Sequence, residues 1–277
     1  MTNLPEVEVI RKDLEREIVG KRVKEVTVKA ASLVSRHRNR PEFYKLLEGR
    51  KITAVSRRGT RLYLDLDDGN ALVVRLGSHA TVTRETASAE PGRATQLVAV
   101  FTTGGSLHYT DAGRDGELYV VRADERAAVP EPEGRGIDPL ADQFTWHSIG
   151  RELAERRQPL KRLLTDESFI IGLGDLYADE VLWSAGLAGK RPSDSLSAQE
   201  VRRLYRALLE VLYEAVKQGG TGESGDEFDD DEEYGDFGDY VKVYGREGLP
   251  CARCRQPIVR DDLGDGVEHH WCPQCQS

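Results

Sequence analysis

RLYLDLDDGNALVVRL, residues 61–76, sets two apolar runs of strand length on either side of Asp68-Gly69. An Asp-Gly pair closes a two-residue hairpin because the favoured turn needs positive φ, which glycine adopts without steric cost. Outward from this stretch, VKEVTV (23–28), KITAVS (51–56), LVAVFTTGGSLHYT (97–110) and GELYVV (116–121) repeat the pattern, with Gly104-Gly105 as a second turn. Residues 22–121 therefore predict a mostly antiparallel β-sandwich. Ahead of it, Leu4, Val7, Leu14 and Ile18 recur at near-helical spacing, and Pro5 stands where a first-turn proline belongs, so a helix should open the chain.

A proline-, glycine- and acid-rich stretch, VPEPEGRGIDPL (129–140), reads as a linker. Beyond it the period becomes helical in FTWHSIGRELAERR (144–157), LKRLLTD (160–166), DLYADEVLWSAGL (175–187) and SAQEVRRLYRALLEVLYEAVKQGG (197–220). Ser197 with Glu200 makes a capping box for the last of these, and Gly219-Gly220 ends it. The expected fold class is α+β. Its parts are a β-sandwich domain with an opening helix (1–128), a linker (129–140), a helical domain (141–221), an acidic loop (222–240) and a C-terminal metal-binding β-hairpin (241–277).

The formal charge of −9 belongs to one segment. Residues 223–239 hold ten acids and no base, and without them the charge rises from −9 to +1. Acidity therefore does not exclude a nucleic-acid partner for the rest of the chain. No apolar run reaches the ~20 residues of a membrane span, and no basic-then-apolar leader opens the sequence, so a cytoplasmic monomer is expected. In a reducing compartment four cysteines are metal ligands more often than disulfides.

Those cysteines form two CxxC pairs, Cys251/Cys254 and Cys272/Cys275, 17 residues apart. This spacing lets two knuckles converge tetrahedrally on one zinc ion, and four thiolates leave it no open position, so the ion should be structural. His269 and His270 are then expected as exposed hairpin residues.

Over essentially its whole length the chain resembles the formamidopyrimidine-DNA glycosylase / endonuclease VIII family. The resemblance rests on LPEVE (4–8), RRGTRLYLDL (57–66), YTDAGRDG (109–116), LLTDESFIIGLGDLYADEVLWSAGL (163–187), QGGT (218–221) and VYGREGLPC (243–251) with CPQC (272–275). It implies a β-sandwich domain, a helix-two-turns-helix domain and a zinc finger that grip DNA, with a Schiff base formed by the amine that follows the initiator methionine. That residue is usually proline and here is Thr2, whose primary amine, with a pKa near ~8, can still form an imine.

Other positions depart from the family pattern. The glutamate that handles protons is Asn3, the phosphate-binding lysine is Thr60, and the phosphate-holding asparagine is Asp175. The residues that fill the gap left by a flipped base are Ser78, Gly113 and Asp115, and the phosphate-clamping arginine of the hairpin is Val267. Retained are Glu6, Lys161, Asp111, Arg114, Tyr177 and the four cysteines. The candidate catalytic residues are thus Thr2 and Glu6, and the candidate DNA contacts Arg58, Arg114, Lys161 and Tyr177. Arg36, His37, Arg38, Arg40, Arg57, Arg61 and Arg162 are further residues that would track phosphates. Three functions stay open: a DNA-binding, catalytically degenerate relative; an active glycosylase/lyase using Thr2; and a module that binds a protein through the acidic, aromatic segment 227–240.

Overall fold

In the computed structural model the described residues are 2–122, 124–125, 136–141, 144–221, 237–264 and 266–277. The acidic segment expected at 223–239 lies outside them except for Phe237, Gly238 and Asp239. The chain divides into two compact units, Met1–Pro130 with Thr221–Tyr234, and Glu131–Gly220 with Gly235–Ser277.

The first unit opens with helix α1 (Leu4–Ile18), where Pro5 occupies the first turn. Val7, Ile10, Leu14 and Ile18 share one buried stripe, and each such side chain contributes about 1.5–3 kcal/mol by leaving water. Eight strands follow: β1 (Val23–Val28), β2 (Ile52–Arg58), β3 (Arg61–Leu66), β4 (Asn70–Arg75), β5 (Ala80–Glu85), β6 (Thr95–Phe101), β7 (Ser106–Asp111) and β8 (Glu117–Arg122). They form two four-stranded sheets, ordered β1-β6-β7-β5 and β2-β3-β4-β8. Every pairing is antiparallel. Alternate residues such as Val26, Val28, Leu62, Leu64, Leu72, Val74, Leu97, Ala99, Leu107 and Tyr109 fill one core. The hairpin falls where the sequence predicts it, but three residues, Asp67, Asp68 and Gly69, join β3 to β4, with Gly69 at φ 81°. Helix α2 (Arg40–Leu47), capped by the Asn39 side chain on the Glu42 N–H, adds Phe43 and Leu47 to the same core.

The second unit is helical with a terminal hairpin. Helix α3 (Trp146–Arg156) starts at a Thr145–Ser148 capping box. Then come α4 (Leu160–Leu164), α5 (Gly174–Ala185), α6 (Ala198–Lys217) and the short α7 (Phe237–Tyr240). The two turns between α4 and α5 place Gly172 at φ 66° and Gly174 at φ 63°. The Gly172 N–H donates to the Glu167 carboxylate at 3.0 Å. The predicted Ser197–Glu200 box does cap α6, and its stripe Val201, Leu204, Leu208, Leu212 and Ala215 is buried against α5. Residues 136–140, expected as the end of a linker, belong to this unit. Ile137 bridges Ile170, its N–H donating to the Phe169 carbonyl at 2.8 Å. Strands β9 (Val259–Asp262) and β10 (Glu268–Trp271) pair antiparallel between the two cysteine knuckles.

Candidate functional site

In the first unit the N-terminal residues meet two loops. Thr2 is buried, and its hydroxyl donates to the Gly77 carbonyl at 2.7 Å. Asn3 is the N-cap of α1 in extended conformation, but its amide makes no capping hydrogen bond. Glu6, on the first turn, is buried and accepts from the N–H and hydroxyl of Thr221 at 3.1 and 3.0 Å. Thr60 is buried in the turn between β2 and β3.

The loops that flank Thr2 are organised by two carboxylates. Asp111, fully buried, accepts from the Tyr109 hydroxyl at 3.0 Å and from the N–H groups of Arg114 and Gly116 at 2.8 and 2.9 Å. Burial and the neighbouring Asp111 charge push the Tyr109 phenol far up, so it stays protonated and a donor. Asp115 accepts from the Ser78 hydroxyl at 2.7 Å and the Ser78 N–H at 3.0 Å. Partial burial opposes its ionisation, but these Ser78 bonds outweigh it and hold the carboxyl below its usual range. The packing needs glycine twice. A Cβ on Gly77 would sit 2.3 Å from an Asp115 oxygen, and one on Gly116 would sit 1.7 Å from the Tyr109 oxygen. Ser78 and Asp115, two positions where the resemblance implies gap-filling side chains, are therefore bonded to each other.

Of the expected phosphate contacts, Arg58 and Arg114 are exposed. Arg114 has φ 55°, a conformation held by its N–H bond to Asp111. Arg36, His37 and Arg57 are engaged within the protein. Arg36 pairs with Glu117 at 2.8 Å and lies over the Tyr119 ring at 3.8 Å. His37 Nε2 accepts from the Val120 N–H at 3.1 Å, and Arg57 pairs with Glu8 at 2.6 Å with its side chain 6% exposed.

The second unit corrects two expectations at once. Lys161, read as a phosphate contact, is fully buried, with Nζ 2.9 Å from Asp179 and 3.1 Å from Asp175. His269 and His270, read as exposed, are 1% and 7% exposed. Both belong to one network. Asp179 accepts from His269 Nδ1 at 2.7 Å and from the His270 N–H at 2.8 Å. The Gly189 N–H donates to His269 Nε2 at 3.0 Å, which assigns the proton to Nδ1. Burial works against the Asp179 carboxylate, yet the histidine bonds and the Lys161 charge hold it well below the usual range. Tyr177, read as a DNA contact, is likewise fully buried, its ring 5.4 Å from that of Phe237.

Next along α5, Glu180 is buried and accepts from the N–H groups of Lys242, Val243 and Tyr244 at 2.8, 2.8 and 2.9 Å. Burial nevertheless drives its carboxyl upward. Successive acids on one helix thus hold the hairpin strand β10 and the segment that leads to it. The roles of Asp179 and Glu180 are not legible in the sequence, where two adjacent acids between Ala178 and Val181 are the only local signal.

The four cysteine sulfurs all lie within 4.8 Å of one another, a donor set that could hold a metal ion. All-sulfur, two-knuckle geometry fits a soft or borderline divalent cation in a closed tetrahedron. The thiols show the crowding that such an ion relieves. Cys275 is pushed up to about 12 by burial and by its neighbouring sulfurs, and Cys272 is also raised by burial. Burial raises Cys251 too, but the N–H groups of Cys254 and Arg253 and the Trp183 indole overcome it, bringing the thiol to about 6.

Comparison with known proteins agrees with this geometry. Residues 1–118 match the model of the formamidopyrimidine-DNA glycosylase N-terminal domain, and residues 135–226 that of the formamidopyrimidine-DNA glycosylase H2TH domain. The chain is 38% identical over 277 residues to a formamidopyrimidine-DNA glycosylase of Thermus thermophilus, covering 100% of this chain and 98% of that one. It is 34% identical to that of Desulfitobacterium hafniense over the full length of both. Among solved structures it resembles Lactococcus lactis Fpg in complexes with DNA containing an oxidised pyrimidine and with DNA containing an abasic site. The TM-score is 0.86 in each, the identity 27% and 26%, and the coverage 99% of both chains. With these matches spanning both units, the chain belongs to the formamidopyrimidine-DNA glycosylase family.

Proposed function

We propose that the protein binds damaged or abasic DNA and that its base-excision step is suppressed. The single observation that carries this reading is the N-terminal site, where Thr2 is held by Gly77 and followed by the neutral, uncapped amide of Asn3. Excision needs a proton supplied as the C1′–N bond breaks and the base departs, and a positioned acid or base is worth about 10²–10⁴-fold. Asn3 and Thr60 have no proton to exchange near neutral pH. Glu6, the neighbouring carboxylate, accepts two hydrogen bonds from Thr221. Binding rests on exposed arginines, of which Arg114 is set by Asp111 and Arg58 by its strand, since phosphate contacts need charge more than a particular base-reading group.

Zinc is the ion proposed for the thiolate cluster, held by Cys251, Cys254, Cys272 and Cys275. With four protein ligands it supplies folding energy to the hairpin and no chemistry.

One observation favours a second reading. The Thr2 hydroxyl bond keeps the terminal residue in a fixed place, so after methionine removal its amine could condense with the aldehyde of an abasic site, releasing water and forming an imine. Borohydride trapping on abasic-site DNA, alongside a gel-shift assay, separates the readings. The proposal expects a retarded complex with at most a trace of covalent product. Efficient trapping that is lost when the Thr2 amine is blocked establishes a working lyase, and absence of any complex at low salt refutes DNA binding.

A further inference from the structure

The C-terminal end of α5 lies against the first cysteine knuckle. Trp183 packs on the small cluster of Val243, Cys251, Ile258 and Cys272. Its indole Nε1 is buried and makes no hydrogen bond in this structure. By contrast the Trp271 indole donates to Asp261 at 2.9 Å. A buried N–H without an acceptor is rare enough to need a reason, and the group beside Trp183 is a sulfur that becomes a full anion when metal binds.

Arg253, inside the same knuckle, keeps the ring in place. Its guanidinium lies 3.8 Å from the Trp183 ring centroid and donates to the carbonyls of Trp183 and Ser184 at 2.7 and 3.1 Å. Its backbone N–H points at the Cys251 sulfur, 3.4 Å away. One residue thus caps the last turn of α5, covers the indole face and donates to the ligand. We propose that Trp183 is a positioning residue of the metal centre. Its indole N–H donates to the Cys251 thiolate, and Arg253 holds it there, so that α5 governs how long the metal stays bound. Donors to a ligating sulfur spread its charge and fix its direction, and loss of such outer partners typically costs 10–100-fold in metal affinity.

The inference rests on the zinc reading, so metal analysis of the purified full chain comes first. Protein that takes up no zinc overturns that reading and this one together, before any variant is made. With zinc bound, release to a chromophoric chelator is timed for wild type, Trp183→Phe and Arg253→Lys. Trp183→Phe keeps an aromatic ring at the position and removes the donor, so release should be about 10-fold faster or more. Arg253→Lys keeps the charge but loses the two-pronged donation and should fall between. A Trp183→Phe protein that releases zinc at the wild-type rate overturns the proposal. A measurement on the unaltered chain decides even where a variant misfolds. In protein loaded with cadmium-113, the indole proton of Trp183 should show scalar coupling to the metal, and those of Trp146 and Trp271 should not. No coupling at Trp183 contradicts the assignment.

Discussion

Asp179 accepts the His269 Nδ1 proton at 2.7 Å, with the two side chains 0% and 1% exposed. The same carboxylate faces Lys161 at 2.9 Å, so one buried acid joins α4, α5 and β10. Removing one partner of a buried pair leaves the other charge uncompensated, at a cost of about 3–5 kcal/mol. Asp179→Ala should therefore destabilise the second unit by that amount, read as a lowered urea midpoint at unchanged slope. A loss under about 1 kcal/mol would mean that Lys161 finds water or another acid in the variant.

The capping box of α6 should make stability depend on pH. Hydrogen bonds from Arg191, then from the Ser197 N–H and hydroxyl, draw Glu200 down to about 2. A depressed carboxyl contributes stability above its unfolded value of about 4.3 and loses it as pH falls through the folded value. The pair is partly solvated and screened, so the gap between wild type and Glu200→Gln should be only about 1 kcal/mol at pH 6. It should close between pH 4 and pH 2. Urea titrations at each pH measure it, and a gap that widens on acidification would reverse the sign.

Replacing Cys254 with Ser should lose the metal and the order of β9 and β10, since three thiolates cannot complete a closed four-sulfur site. Elemental analysis with hydrogen exchange of the hairpin amides checks both. Full zinc occupancy in the variant would show that Cys254 is not a ligand.

Arg114 should act on DNA through charge alone. Arg114→Ala is expected to reduce the slope of log affinity against log salt by about 1 and to weaken different sequences equally. An unchanged slope would remove this residue from the phosphate contacts.

Elements governed by short-range signals were legible in the sequence. The Asp68-Gly69 hairpin, the Ser197–Glu200 box and the CxxC pairs each follow from residues within a few positions of one another. Contacts across long separations were not. Asp179 meets His269 90 residues away, and Ser78 meets Asp115 37 residues away. Nothing in the local pattern tells a buried, paired lysine from a phosphate-facing one, which is why the burial of Lys161 is not legible in the sequence. The same gap hid Trp183, whose role depends on a knuckle far along the chain.

The central claim is that the protein holds damaged DNA without turning it over. The most direct measurement incubates it with excess duplex containing an oxidised purine, then an oxidised pyrimidine, and counts released base per protein while binding is followed in the same tubes. The account predicts a stable, salt-sensitive complex with less than one base released per molecule. Repeated release of damaged base that vanishes when the Thr2 amine is blocked would contradict it.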